Sequence, residues 1–248
     1  MPSNSSLMTA QVLAVFIEDI AARGGKVTDM YGDERRLFAR SVLPLVEEVQ
    51  PGDGIKGGVA LKARRGEVCM HPYLCRLICK NGAIVSKTLG SRTLENVFSL
   101  EADRATQVIR EGIEACSSKE LFADSIRKIR NSRRVQASDK EVAATLAVTK
   151  RQRERRLESL PTELQIFRFL QGNAASRDIA ARFERDADRS RYGLANAVTS
   201  VARDIKSSEL KWDLEELGGA ILLGMGPKNP IDGELEAALP PRRLVEVG

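Results

Sequence analysis

Polar and apolar residues alternate through much of the first hundred residues. The stretch VALKARR, residues 59–65, shows this most clearly, with apolar side chains at every second position between lysine and arginine. That period is typical of a strand with one face in a core. Further strands are predicted over residues 27–31, 36–43, 67–79 and 83–89. A helix over residues 9–22, ending at two glycines, is predicted to precede them.

Turn residues connect the predicted strands. Asn81-Gly82 predicts a type I′ hairpin between residues 67–79 and 83–89, because both positions of that turn need positive φ. The stretch QPGDGIKGG, residues 50–58, is predicted to be a flexible loop leading into the strand at 59. It matches G-x-G-x-x-G, but a strand follows it instead of the helix that would hold a pyrophosphate.

Beyond residue 100 the apolar period becomes helical. One stripe contains Ala102, Ala105, Ile109, Gly112, Ile113 and Cys116, and similar stripes follow as far as Ile221. Ser138 and Glu141 form a capping box at the start of one of these helices.

The order of elements predicts an α+β fold, in which an antiparallel β-meander sheet in the N-terminal half packs against a mostly helical C-terminal half. The predicted boundaries are 1–99 for the helix and sheet, 100–226 for the helical region and 227–248 for an irregular tail. Residues 10–226 are expected to form one compact domain.

Positive charge is concentrated in one segment. The 248-residue chain has a formal net charge of +5, yet residues 127–156 hold eleven Lys and Arg against three acidic residues, a net of +8. The remainder of the chain is therefore slightly acidic, and the basicity is local.

The basic segment predicts a surface that contacts phosphates. Its candidate nucleic-acid-binding residues are Arg127, Arg130, Arg133, Arg134, Arg151 and Arg155. The segment has no Phe, Tyr or Trp, so bases are not expected to stack there, and contacts should depend little on sequence. The alternative is an ordinary solvated helix face.

The only histidine lies among cysteines. Cys69, His71, Cys75 and Cys79 share one face of a predicted strand, but the first and last would lie about 33 Å apart, too far for zinc without a sharp break. A Cys–His nucleophile pair lacks a third residue to orient the imidazole. The favoured interpretation is a hairpin lined by small residues, with no metal and no cofactor.

A metal-dependent nuclease using Asp53 and Glu67 is a further hypothesis, although no nearby lysine completes the usual pattern. Catalytic residues are otherwise not indicated, and an enzyme is not favoured. Because the apolar run at residues 7–17 lacks a basic flank and is short, we expect no membrane span and no export signal. Four scattered cysteines favour a reduced cytoplasm.

Three stretches together resemble the phage/plasmid-like proteins of domain-of-unknown-function family 932. They contribute Gly52-Asp53, then Arg76, Cys79, Asn81 and Gly82, and later Asn196-Ala197, Thr199, Leu214-Glu215 and Gly218-Gly219. The resemblance covers roughly residues 35–224. It implies a cytosolic bacterial protein of mobile-element origin that acts in DNA metabolism.

These observations lead to one functional prediction and two rivals. The predicted function is an accessory protein that binds DNA non-specifically through the basic segment, in recombination or strand annealing, with self-association into a homo-oligomer expected. The first rival is a factor without catalysis that binds an acidic protein, such as a host-defence inhibitor. The second is the metal-dependent nuclease.

Overall fold

The computed structural model describes residues 4–33, 36–64, 67–78, 81–86, 90–151 and 162–225. The strands are β1 (Lys26–Asp33), β2 (Arg36–Val42), β3 (Val46–Gln50), β4 (Asp53–Arg64), β5 (Glu67–Arg76), β6 (Gly82–Ile84) and β7 (Arg92–Leu94). The helices are α1 (Asn4–Ala22), α2 (Ala102–Cys116), α3 (Lys119–Ser132), α4 (Asp139–Arg151), α5 (Thr162–Arg185), α6 (Arg191–Asp204) and α7 (Ser208–Leu222). The predicted α+β class is confirmed. The predicted tail, 227–248, lies outside the described residues.

All strand pairs are antiparallel and form one sheet in the order β1-β2-β4-β5-β6. β3 pairs with β4, and β7 pairs with β5. The predicted flexible loop at 50–58 is wrong, because β4 already begins at Asp53. The glycines there serve close packing: a Cβ at Gly58 would collide with the carbonyl group of Ser41 on β2.

The predicted hairpin after β5 is present, but its turn differs from the prediction. The Arg76 N–H donates to the Asn81 carbonyl at 2.8 Å, and Cys75 faces Gly82 across the ladder. Asn81 and Gly82 therefore lie after the turn, and neither adopts positive φ. A type I′ turn at this pair is wrong, because Gly82 already belongs to the returning strand β6 and Asn81 is bonded to Arg76 across the hairpin.

The two faces of the sheet are covered by different helices. One face packs against α1 and α2, in a cluster that includes Leu61, Met70, Phe16 and Ile113. The other face packs against α7 through Trp212, whose ring centroid lies 6.0 Å from that of Phe38. This layering follows from the strand alternation, since successive side chains of β4 and β5 point to opposite faces.

The helical half shares a second core with the sheet, in which Ile126, Ile179, Val198 and Leu214 cluster with Ile55 of β4. The predicted capping box is confirmed: the Glu141 N–H donates to the Ser138 hydroxyl, and the Ser138 N–H donates to the Glu141 carboxylate at 3.0 Å. Within the described part of the chain, no helix combines the length and apolar character needed to cross a bilayer.

Candidate nucleic-acid interface

Helix α3 carries the first of the predicted basic residues on its exposed side. Arg127 pairs with Asp124 at 2.9 Å, and Lys128 pairs with the same carboxylate at 2.8 Å. Arg130 donates to Glu47 at 2.9 Å and to the Glu48 carbonyl at 2.6 Å. Each of these cations therefore has an acidic neighbour that weakens its field, although all three are exposed and free to rearrange.

The chain after α3 pairs with the chain before α6. The Ala137 N–H donates to the Arg189 carbonyl at 2.8 Å, and the Arg191 N–H donates to the Val135 carbonyl at 2.9 Å. Gln136 and Ser190 form the bridge between these bonds. This short ladder joins positions more than fifty residues apart and places basic residues of both segments on adjoining backbone.

Arg133 lies half-buried over an aromatic ring. Its guanidinium carbon is 5.5 Å from the centroid of Tyr192, and Arg76 lies at 5.5 Å from the same ring. Asp53 neutralises Arg76 with bonds of 2.6 and 3.0 Å and accepts the Tyr192 hydroxyl at 2.6 Å. Burial, followed by the bond to Asp53, raises the pKa of Tyr192 well above its usual range. The ring is thus a fixed platform beneath Arg133.

Arg189 is held in a comparable way, with its guanidinium carbon 5.1 Å from the centroid of Phe183. Arg133, Arg134 and Arg189 form what we call the arginine junction. Within the described residues, none of the three pairs with a carboxylate. Among the described basic residues of α3 and of the ladder that follows it, those of the junction are therefore the ones whose charge is least compensated.

The remaining predicted residues are less well defined. Arg151 is the last residue of α4, and its side chain is not described; Arg155 lies outside the described residues. The sequence does not indicate Arg189, because this residue stands in a mixed-charge run, ERDADRS, with no periodic signal. Only the ladder to 135–137 brings it to the predicted arginines.

In the described part of the strand with the histidine, His71 and Cys69 are held by other contacts. His71 is buried beside Trp212, with ring centroids 5.9 Å apart, and burial and then Lys62 lower its pKa to about 4. Cys69 donates to Glu67, and burial raises the pKa of its thiol to about 11. Among the described residues no cluster of three or more His, Cys, Asp or Glu could hold a metal ion. Cys79 lies outside them.

The pair of acids considered for a nuclease is not brought together. Asp53 opens β4, whereas Glu67 faces Arg64 at the far end of that strand, roughly 35 Å away for an extended chain. Asp53 is 1% exposed, and both of its oxygens are bonded to Arg76 or Tyr192. Its role here is to join β4, β5 and α6.

Other residues that carry the family resemblance also hold elements together. Glu215 of α7 accepts from buried Arg40 of β2 at 2.6 Å. Gly218 lies against Thr199 of α6, and Gly219 lies against the Ile84 carbonyl of β6. The described motif residues therefore explain packing between the sheet and the last two helices.

Glu215 should make stability depend on pH. Burial raises its pKa from 4.5 to about 7, with Arg40 opposing that rise. The fold therefore favours the protonated form of Glu215. The free energy that this preference adds to stability is fully present below pH 4.5 and is lost as the pH rises through 7. Urea unfolding between about pH 5 and pH 8 should show a loss in the wild type that Glu215→Gln lacks. Parallel pH profiles of the two proteins would contradict this assignment.

Comparisons of the chain with protein-family models, curated proteins and solved structures found no match. The resemblance to the phage/plasmid-like family therefore stays a prediction.

Proposed function

We propose that this protein binds nucleic acid through the sugar–phosphate backbone, with the arginine junction as the centre of the contact. The observation that carries the proposal is that a backbone ladder joins the two distant segments that carry these arginines, which have no carboxylate partners in the described chain. A cytoplasmic accessory role in DNA recombination or strand annealing, in a phage- or plasmid-type protein, is the setting we infer.

The geometry suits phosphates better than bases. Arg133 and Arg189 rest on aromatic rings, so part of the entropy cost of ordering their side chains is already met before a ligand arrives. Phe183 and Tyr192 are themselves buried, which leaves no ring surface for an incoming base. Guanidinium groups can each form two parallel hydrogen bonds to a phosphate. Binding is therefore expected to vary little with sequence.

The test is fluorescence-anisotropy titration of single- and double-stranded DNA at several salt concentrations. Three phosphate contacts alone predict an affinity loss of roughly 40-fold between 50 and 200 mM salt. The variant Arg133→Glu/Arg134→Glu/Arg189→Glu should weaken binding by about two orders of magnitude and flatten the log–log salt slope by about 2.7 units.

A matched control separates the site from net charge. Arg104, Arg110 and Arg177 are exposed, lie on α2 and α5, and are not residues of the junction. Their replacement by Glu changes the net charge equally but should leave most of the affinity intact. Equal losses in both triple variants would reduce the proposal to general charge attraction.

The rivals give different outcomes in the same experiment. Absence of DNA binding at low salt would contradict the proposal and favour an acidic protein as the partner of this surface. Mg²⁺-dependent cleavage lost in Asp53→Asn would favour the nuclease, which gains no support from a carboxylate whose oxygens are already bonded.

A further inference from the structure

One long edge of the sheet has no covering strand in the described chain. β1 pairs with β2 on one side and is the last strand of the sheet on the other. It runs for eight residues without a proline. Such an edge presents N–H and C=O groups that another strand can pair with, and proteins commonly block it with charge or proline.

The middle of this edge is apolar on both faces of the sheet. Met30 is 59% exposed and borders a groove of about 580 Å³ shared with Ile17 of α1. Tyr31 is 46% exposed on the opposite face, where its ring lies 6.5 Å from Phe38. A strand added here would cover both side chains and continue both cores.

The acids of the edge are already neutralised within the chain. Asp29 pairs with Lys211 and with Arg40, and Asp33 pairs with Arg36 at 2.7 Å. The edge therefore carries little of the repulsive charge that would keep a second strand away.

The register of β1 against β2 shows which partner fits. Asp33 faces Arg36 and Met30 faces Ala39, whereas a bulge between Val27 and Asp29 brings Lys26 opposite Val42. The β2 residues that face Lys26 and Asp33 each lie three positions from Ala39, which faces Met30. Lys26 and Asp33 are therefore equally far from Met30 along the strand. The edge has opposite charges at equal distances from its apolar centre.

We propose that a second copy of this chain pairs with β1 in antiparallel fashion, about a two-fold axis beside Met30. In this register Lys26 of each strand lies opposite Asp33 of the other, and Met30 lies beside its own copy on the α1 side. An axis beside Tyr31 would instead place Asp29 opposite Asp33 and would lose both pairs of Lys26 with Asp33. The pairing joins two sheets into one through a self-complementary interface.

The first experiment measures the mass in solution by light scattering, from micromolar to hundred-micromolar concentration. The wild type should reach twice the chain mass. Met30→Lys should remain monomeric, because an edge lysine blocks pairing. The matched control is Met225→Lys, at another exposed methionine beyond α7, which should dimerise like the wild type. A monomeric wild type, or a dimeric Met30→Lys variant, overturns the proposal.

A second experiment tests the register and does not depend on a disruptive variant. Residues facing each other in an antiparallel pair have Cα atoms about 4.5–5.5 Å apart, within the range of a disulfide. Met30→Cys should therefore form a reducible cross-linked dimer, whereas Tyr31→Cys and the wild type, with its native cysteines, should not. Equal cross-linking at positions 30 and 31 would contradict the two-fold axis. This proposal stands apart from DNA binding, since the junction variant should still dimerise.

Discussion

Replacing Glu215 with leucine should lower the free energy of unfolding by about 3–5 kcal/mol at pH 8, and Arg40→Met should have an effect of similar size. The reason is that each change leaves the other charge buried without its main partner. Both side chains are 2% exposed, and the Arg40 Nε donates to the Glu215 Oε2 at 2.6 Å.

The double variant Arg40→Met/Glu215→Leu should recover most of that loss. Taking two charges out of water costs about as much as their attraction returns, so an apolar pair of similar volume is often as stable. Arg40 also lies 5.8 Å from the ring centroid of Trp212, where a methionine side chain can pack. Asp29 retains Lys211 when Arg40 is lost.

Urea unfolding of the wild type, the two single variants and the double variant gives a double-mutant cycle. A second ion pair serves as the control. Arg36 and Glu209 also join β2 to α7, at 3.0 Å, but their side chains are 32% and 16% exposed. Arg36→Met and Glu209→Leu should each cost about 1 kcal/mol or less. If breaking the Arg40–Glu215 pair lowers the free energy of unfolding no more than breaking the Arg36–Glu209 pair does, burial is not the reason for the effect.

The Arg40–Glu215 pair shows why some of the fold was predictable and some was not. Alternation in residues 59–65 and the capping box at Ser138 are local signals, and the strand and the cap are both present, although β4 is buried on both faces where the alternation predicts one. Arg40 and Glu215 stand 175 residues apart in sequence. Neither lies in a pattern that marks it as buried, because a charged residue is normally read as exposed.

The residues of the candidate site likewise divide into those that the sequence indicates and those that it does not. Arg133 and Arg134 could be found from charge density alone, whereas Arg189 could not, because its neighbourhood is set by a two-bond ladder between distant segments. The sequence predicts a flexible loop around Asp53, because glycine usually signals turns. Here the neighbouring glycines allow strands to approach closely, and Asp53 is the buried ion-pair partner of Arg76. Local composition cannot distinguish these two uses of glycine.

Gly219→Ala should destabilise the protein by about 1–2 kcal/mol, although helix propensity alone predicts the opposite. Alanine is favoured over glycine inside a helix by about 1 kcal/mol. A Cβ at this position, however, would lie inside contact distance of the Ile84 carbonyl oxygen and only 2.8 Å from its carbonyl carbon. Overpacking of this kind costs about 1–3 kcal/mol and sometimes more, so the steric effect should exceed the propensity gain.

The cost should be high because neither side of the contact can move alone. Ile84 belongs to β6 and is fully buried, and its strand is hydrogen-bonded to β5. Helix α7 would have to retreat from the sheet as a unit, which would also disturb Trp212 in its contact with Phe38. Thermal unfolding followed by tryptophan fluorescence, with Trp212 as the only tryptophan, reports both effects.

The adjacent glycine supplies the control. A Cβ at Gly218 would meet the Cγ2 methyl of Thr199, the end of a side chain and not a backbone carbonyl. Gly218→Ala should therefore be less costly, and adding Thr199→Ser should relieve it by removing that methyl group. The same addition should do nothing for Gly219→Ala, whose obstacle is the backbone of β6. Relief of both variants by Thr199→Ser, or a stabilising Gly219→Ala, would mean that α7 is not pressed against the sheet at Ile84.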